Sequence, residues 1–96
     1  MIRSFANRIT QDIYEGVASR QVRAFPADLL RAARIRLDYI QYATTLNDLK
    51  MPPGNRLEAL KGNLRGKHSI RINRQWRIVF RWSDEGAEVV EITDYH

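Results

Sequence analysis

The chain ends in three side chains that can bind or transfer protons, Asp94, Tyr95 and His96. Cleavage of RNA without a metal needs a base for the 2′-hydroxyl proton, an acid for the leaving 5′-oxygen and fixed positive charge for the phosphate. Imidazoles titrate near neutral pH, a tyrosine can donate a hydrogen bond or stack on a base, and a carboxylate can orient an imidazole. These residue types suit proton transfer, although a frayed chain end and a turn aspartate are the plainer explanation of the same residues.

Residues 61–81 carry the whole basic excess of the chain. They hold seven of its sixteen Lys and Arg residues and no Asp or Glu, so the rest of the chain has nine basic against eleven acidic residues. A net charge of +5 concentrated in this way favours a polyanion or an acidic protein as partner. The seven basic residues are Lys61, Arg65, Lys67, Arg71, Arg74, Arg77 and Arg81.

Length and composition limit the chemistry that is available. The chain of 96 residues has the size of one small domain, residues 1–96, and its hydrophobic content of 44% suits a globular fold. It has no cysteine, and its two histidines, His68 and His96, are isolated, so no metal or other cofactor is expected. Without a membrane-length apolar run or a signal-peptide core, it is expected to be soluble and cytoplasmic, with no membrane partner.

Helical patterns dominate the N-terminal half. Residues 2–5 favour a short strand, and residues 6–15 a short helix that Gly16 ends. Residues 17–25 show no clear period and are predicted to form a connection with at most two helical turns.

The main helix is predicted at residues 26–44, with Pro26 at its first position and Asp28 in its first turn. For its basic outer face, which includes Arg31 and Arg34, a solvated surface is favoured over contact with RNA. The apolar residues that recur at spacings of three and four are Leu29, Leu30, Ala33, Leu37, Ile40 and Ala43.

The C-terminal half shows strand patterns. One more helical turn is predicted at residues 45–51, and Pro52, Pro53 and Gly54 then force a turn. The predicted strands are residues 56–60, 67–73, 76–82 and 87–93. Short turns between them indicate an antiparallel meander, and two N-terminal helices packed on one face of this sheet would give an α+β fold.

Alternation along the strands assigns side chains to two faces of the sheet. The face predicted to meet the helices carries Ile70, Ile72, Trp76, Ile78, Phe80, Trp82, Val90 and Ile92. The opposite, cationic face carries Arg71, Asn73, Arg77, Val79, Arg81, Glu91 and Thr93. Lys61 is predicted to join the cationic face from the first strand. Arginine matches the geometry of a phosphate, so phosphate binding is favoured over a merely solvated face.

Four segments together resemble the HigB branch of the RelE-type toxins, the plasmid-maintenance killer family. They are MIRSF at the N-terminus, PPGNRLEALKG at residues 52–62, HSIRINRQWRIVFRW at 68–82 and VEITDYH at 90–96. The resemblance implies a RelE-like, microbial-RNase-type fold and an endonuclease that cuts translated mRNA in the A site of the 70S ribosome. It also implies a HigA-like helix-turn-helix antitoxin, through which the toxin would reach operator DNA indirectly.

The resemblance also implies which residues act. The family's functional positions fall on Lys61, Arg77, Asp94, Tyr95 and His96. In this assignment His96 transfers a proton, and Asp94 is its partner or the general base. Tyr95 stacks on a nucleobase of the RNA. Lys61 and Arg77 stabilise the transition state.

Some relatives have a histidine where this chain has Glu58, so Glu58, Asp94 and His96 are all candidates for the general base. The residues expected to hold the message are Arg71, Asn73, Arg81 and Lys67. Two other hypotheses remain open: a non-catalytic RNA- or ribosome-binding module that inhibits translation by occupancy, and a basic face that only docks an acidic antitoxin segment.

Overall fold

The computed structural model describes residues 1–94, in which helices pack on one face of a four-stranded antiparallel sheet. The predicted α+β fold is therefore confirmed. The helices are α1 (Arg8–Glu15), α2 (Arg20–Arg23) and α3 (Ala27–Tyr42), with 3₁₀ helices at Leu46–Lys50 and Gly62–Leu64. The strands are β1 (Glu58–Ala59), β2 (His68–Arg71), β3 (Trp76–Ser83) and β4 (Gly86–Asp94). No helix in residues 1–94 is both long and apolar enough to cross a membrane.

Helix α1 lies where the sequence predicts it. The Asn7 side chain caps its first turn by accepting a hydrogen bond from the Thr10 N–H. Gly16 ends the helix in the left-handed region, with φ of 76°. The connection that follows contains one helical turn, α2, which agrees with the prediction for residues 17–25.

Helix α3 is shorter than the predicted span of residues 26–44. Pro26 precedes its first turn instead of occupying it, and the last helical residue is Tyr42. The helix ends early because the Asp48 carboxylate accepts hydrogen bonds from the N–H groups of Thr44 and Thr45, at 2.9 and 3.0 Å. These bonds begin the predicted additional turn, a 3₁₀ helix.

The four strands pair in sequence order, which confirms the predicted meander. Strand β1 has two residues in place of the predicted five. Arg56 lies in the left-handed region with φ of 47°, which interrupts the extended backbone before β1 can begin. Strand β2 ends at Arg71, two residues earlier than predicted, because Asn73 already belongs to the turn that leads into β3.

Residues 2–5, predicted as a strand, form two isolated parallel bridges with β4 instead: Ile2 with Ala87 and Phe5 with Val90. Pairing is interrupted because β4 contains a bulge at Val89, which adopts a φ of 52°. The Ser4 hydroxyl accepts a hydrogen bond from the Val89 N–H at 2.9 Å, so the N-terminal segment still holds the bulge.

The core lies between α1, α3 and the sheet, and most of the predicted core face is buried there. Trp76 and Trp82 are half-buried and pack against this core, and their rings lie 5.4 Å from Phe25 and 6.5 Å from Phe80. Both tryptophans therefore pack against the core, as their strand parity predicts. The bulge also turns Ala87 into the core, a position that simple alternation along β4 did not predict.

Candidate active site

Arg77, at the start of β3, lies on the sheet face away from the helices, where its side chain donates hydrogen bonds to Ser69 and Arg56. Its Nε donates to the Ser69 hydroxyl at 2.7 Å, and its Nη2 donates to the Arg56 carbonyl at 2.8 Å and to the Ser69 carbonyl at 3.4 Å. Its side chain is only 11% exposed. A guanidinium held in this way presents positive charge in a fixed direction.

Glu58 lies beside Arg77 on the same face. It pairs with Ser69 across β1 and β2, and its Oε1 is 3.8 Å from Arg77 Nη2. The Glu58 side chain is 51% exposed, so a bound molecule can reach the carboxylate. A carboxylate next to a fixed cation can accept a proton from a hydroxyl that is held against that cation.

Arg71 is the direct cross-strand partner of Arg77 in the β2–β3 pair. Its Nε donates to the Asn73 carbonyl at 3.0 Å. Like charges directly opposite one another destabilise a sheet, and an anion between them removes that cost. This end of the face is therefore suited to bind a phosphate.

The other end of the predicted cationic face is not uniformly basic. Arg81 is exposed and pairs with Glu88, and Glu91 pairs with Val79. Glu88 reaches this face only because of the bulge, which alternation alone did not predict. Positive charge is thus concentrated at the Arg71 and Arg77 end of the face.

The sequence predicted that Lys61 enters the sheet from the first strand, but β1 ends at Ala59 and Lys61 lies outside it. It is exposed and follows β1, immediately before the 3₁₀ helix Gly62–Leu64. It lines a shallow pocket together with Glu58, Ala59 and Leu60. The lysine therefore lies at the β1 edge, next to the candidate base.

The remaining predicted RNA-binding residues are spread around this site. Lys67 is half-buried just before β2, and its carbonyl accepts a hydrogen bond from the Leu60 N–H at 2.9 Å. The Asn73 Oδ1 accepts from the N–H groups of Gln75 and Trp76, at 2.9 and 2.8 Å. Asn73 thus shapes the β2–β3 turn.

Asp94 is the last described residue and lies at the Arg77 end of the sheet. It pairs with Trp76, the residue before Arg77, and its Oδ2 accepts a hydrogen bond from Gln75 Nε2 at 2.9 Å. Its neighbour Thr93 is the cross-strand partner of Arg77. The predictions for Tyr95 and His96 concern positions outside the described residues.

Sequence reasoning missed two groups in this site, the Ser69 hydroxyl and the Arg56 carbonyl. Ser69 has the strand parity of Arg71, so its place on the cationic face could have been found by alternation. The contact with the Arg56 carbonyl could not have been predicted, because nothing in an arginine residue predicts a positive φ. His68 is not part of the site, since its ring stacks on Phe80 at 6.4 Å.

The chain matches known proteins over its whole described length. A family described as "RelE-like toxin of type II toxin-antitoxin system HigB" matches residues 3–96. Toxin HigB-1 of Vibrio cholerae serotype O1 is 37% identical over 84 residues, which cover 88% of this chain and 86% of that protein. Endoribonuclease HigB of Proteus vulgaris is 32% identical over 97 residues and 100% of both chains.

A solved structure with the same fold is a YoeB–YefM complex from Staphylococcus aureus. One of its chains superposes with a TM-score of 0.63 and 21% identity, covering 100% of this chain and 98% of that one. At this identity the likeness shows the fold alone. The helices and antiparallel sheet described above are thus an arrangement shared with that chain.

Proposed function

Because the chain belongs to the HigB-like family of RelE-like toxins of type II toxin–antitoxin systems, we propose that it is an endoribonuclease that cuts mRNA. The observation that carries this proposal is the fixed Arg77 guanidinium, with Glu58 at 3.8 Å and Arg71 directly opposite. These groups bring two guanidinium groups, one of them fixed by hydrogen bonds, and a carboxylate into one patch of the sheet. The name of the Proteus vulgaris relative, an endoribonuclease, supports the same activity.

The proposed reaction is a metal-independent attack by the message's own 2′-hydroxyl. A base removes the 2′-hydroxyl proton, the 2′-oxygen bonds to phosphorus, and the bond from phosphorus to the 5′-oxygen breaks. An acid then protonates the leaving 5′-oxygen, which gives a 2′,3′-cyclic phosphate and a 5′-hydroxyl. Arg77 and Lys61 stabilise the extra negative charge on the phosphate in the transition state.

We assign the base to Glu58 and the acid to His96. Glu58 is exposed and adjacent to the cation that would hold the phosphate. Asp94 orients the terminal imidazole, and Tyr95 stacks on a base of the message. Asp94 and His96 remain the alternatives for the base.

The substrate proposed is translated mRNA in the A site of the 70S ribosome, and the compartment is the cytoplasm. Arg71, Arg81, Lys67 and Asn73 hold the message backbone in this proposal. The excess of five positive charges favours association with a ribonucleoprotein surface. A HigA-like helix-turn-helix antitoxin would neutralise the chain and link it indirectly to operator DNA.

Induction of the chain in cells without its antitoxin, followed by mapping of message 5′ ends, tests the proposal. Wild type should arrest growth and generate new 5′ ends within translated regions. Arg77→Met and a chain that lacks His96 should do neither, provided that immunoblots show equal protein levels. Arrest by both variants without new ends would contradict cleavage and support inhibition by occupancy.

A further inference from the structure

Ser69 is a fully buried serine on the face of the sheet that carries the candidate active site. It lies in the middle of β2, with Glu58 and Val79 as its cross-strand partners, and has 0% exposure. A buried hydroxyl needs a hydrogen-bond partner. The Ser69 hydroxyl accepts from Arg77 Nε at 2.7 Å, a short distance typical of a charge-assisted hydrogen bond.

The Ser69 hydroxyl is not needed to build the strand. Its backbone is already paired on both sides, to Glu58 in β1 and to Val79 in β3. Serine is also a poorer strand residue than valine or threonine, which would fill a buried position more favourably. The contact with Arg77 is therefore what distinguishes serine at this position from an apolar residue.

Arg56 supplies a second fixed contact through its backbone. Its φ of 47° is a left-handed conformation that is strained for a residue other than glycine. In this conformation its carbonyl accepts a hydrogen bond from Arg77 Nη2 at 2.8 Å. The preceding residue, Asn55, anchors the bend, because it is fully buried and its Nδ2 donates to the Leu49 carbonyl at 3.1 Å.

We propose that the Ser69 hydroxyl and the Arg56 carbonyl are positioning groups that fix the Arg77 guanidinium for the phosphate of the message. An arginine side chain has several rotatable bonds, and a group that stabilises a transition state acts best when its orientation is set beforehand. Contacts at Nε and at Nη2 set both the plane and the direction of the guanidinium. This inference rests on the proposed cleavage of RNA, to which it adds the residues that orient the cation.

Ser69→Ala tests the inference through cleavage of a defined message on purified ribosomes under single-turnover conditions. The rate constant at saturating ribosomes should fall about 10- to 100-fold, the value of one hydrogen bond to a charged group. The concentration for half-maximal rate should change little, since the charge remains. Ser69→Thr keeps the hydroxyl and should recover most of the rate.

A matched control and a double variant separate positioning from general damage. Ser83→Ala removes a hydroxyl that makes two hydrogen bonds in the β3–β4 turn, at the far end of the sheet. It should leave cleavage unchanged. In an Arg77→Lys background, which keeps the positive charge but lacks the Nε–H donor, Ser69→Ala should cause no further loss of the reduced rate. An equal loss in both backgrounds would overturn the inference.

Hydrogen exchange of the Arg77 Nε–H, followed by nuclear magnetic resonance, gives a reading that does not depend on cleavage. The signal is assigned by its loss in Arg77→Met. Ser69→Ala should speed its exchange by about tenfold or more, and Ser83→Ala should not. Unchanged exchange in Ser69→Ala would overturn the inference. Faster exchange in a protein that never cuts message would support the positioning contact and count against the proposed function.

Discussion

Replacement of Glu58 by glutamine tests which group would take the proton from the message in the proposed reaction. Glutamine keeps the size of the side chain and an oxygen that can accept a hydrogen bond, but it cannot act as a base at neutral pH. If Glu58 is the base, cleavage loses the contribution of general base catalysis.

The size of the effect on cleavage should far exceed the effect on stability. General base catalysis typically contributes about 10²- to 10⁴-fold, so the single-turnover rate should fall within that range. The contact between Glu58 and Arg77 is 3.8 Å long and its carboxylate is 51% exposed. Such a pair contributes at most about 1 kcal/mol to folding because solvent screens it.

The assay is single-turnover cleavage on programmed ribosomes, together with chemical denaturation of each purified protein. Glu85→Gln is the matched control, because it makes the same change in the exposed β3–β4 turn. Its cleavage rate should match that of wild type. A wild-type rate for Glu58→Gln would refute the assignment and leave Asp94 or His96 as the base.

Three further predictions concern stability, each measured by chemical denaturation. Hydrogen bonds from the Thr45 N–H and from Thr44 lower the pKa of Asp48 below its ordinary value of 3.8, so the ionised carboxylate stabilises the fold above that pH. The loss of stability caused by Asp48→Asn should therefore shrink as the pH falls below 3.8. A loss that is independent of pH would contradict this linkage. Val89→Asn should stabilise the fold by about 1 kcal/mol, because asparagine tolerates the left-handed conformation that strains valine, and lower stability would show that valine packing matters more. Trp76→Ala should destabilise it by about 3 kcal/mol or more, and a smaller loss would mean that its ring contact with the core contributes little.

Most of the fold follows from patterns that the sequence displays directly. Alternation in β2 and β3 assigned Ile70, Ile78 and Phe80 to the core, and all three are fully buried. The ends of elements were harder to predict where one side chain ends them. Asp48 caps the turn that follows α3, and the predicted helix ran too far because the Thr45-x-x-Asp48 spacing, which marks the start of a new turn, was not used.

The site was predictable to the extent that it depends on residue type and parity. Arg71 and Arg77 fall on one face by alternation, and they are direct partners in the structure. The contacts that hold Arg77 could not be predicted in full, because Arg56 adopts a conformation that arginine rarely takes. The bulge at Val89 is equally unexpected for a β-branched residue, and it alone brings Glu88 opposite Arg81.

A message with one 2′-deoxynucleotide on the 5′ side of the cleaved bond tests the central claim most directly. The claim is that this family member cuts RNA through the message's own 2′-hydroxyl, at a site built around Arg77. Purified chain and ribosomes programmed with the all-ribose message should yield a 2′,3′-cyclic phosphate end, and the deoxy-substituted message should remain intact at that bond. Cleavage of both messages at equal rates would contradict the account, because the nucleophile would then be water or another group.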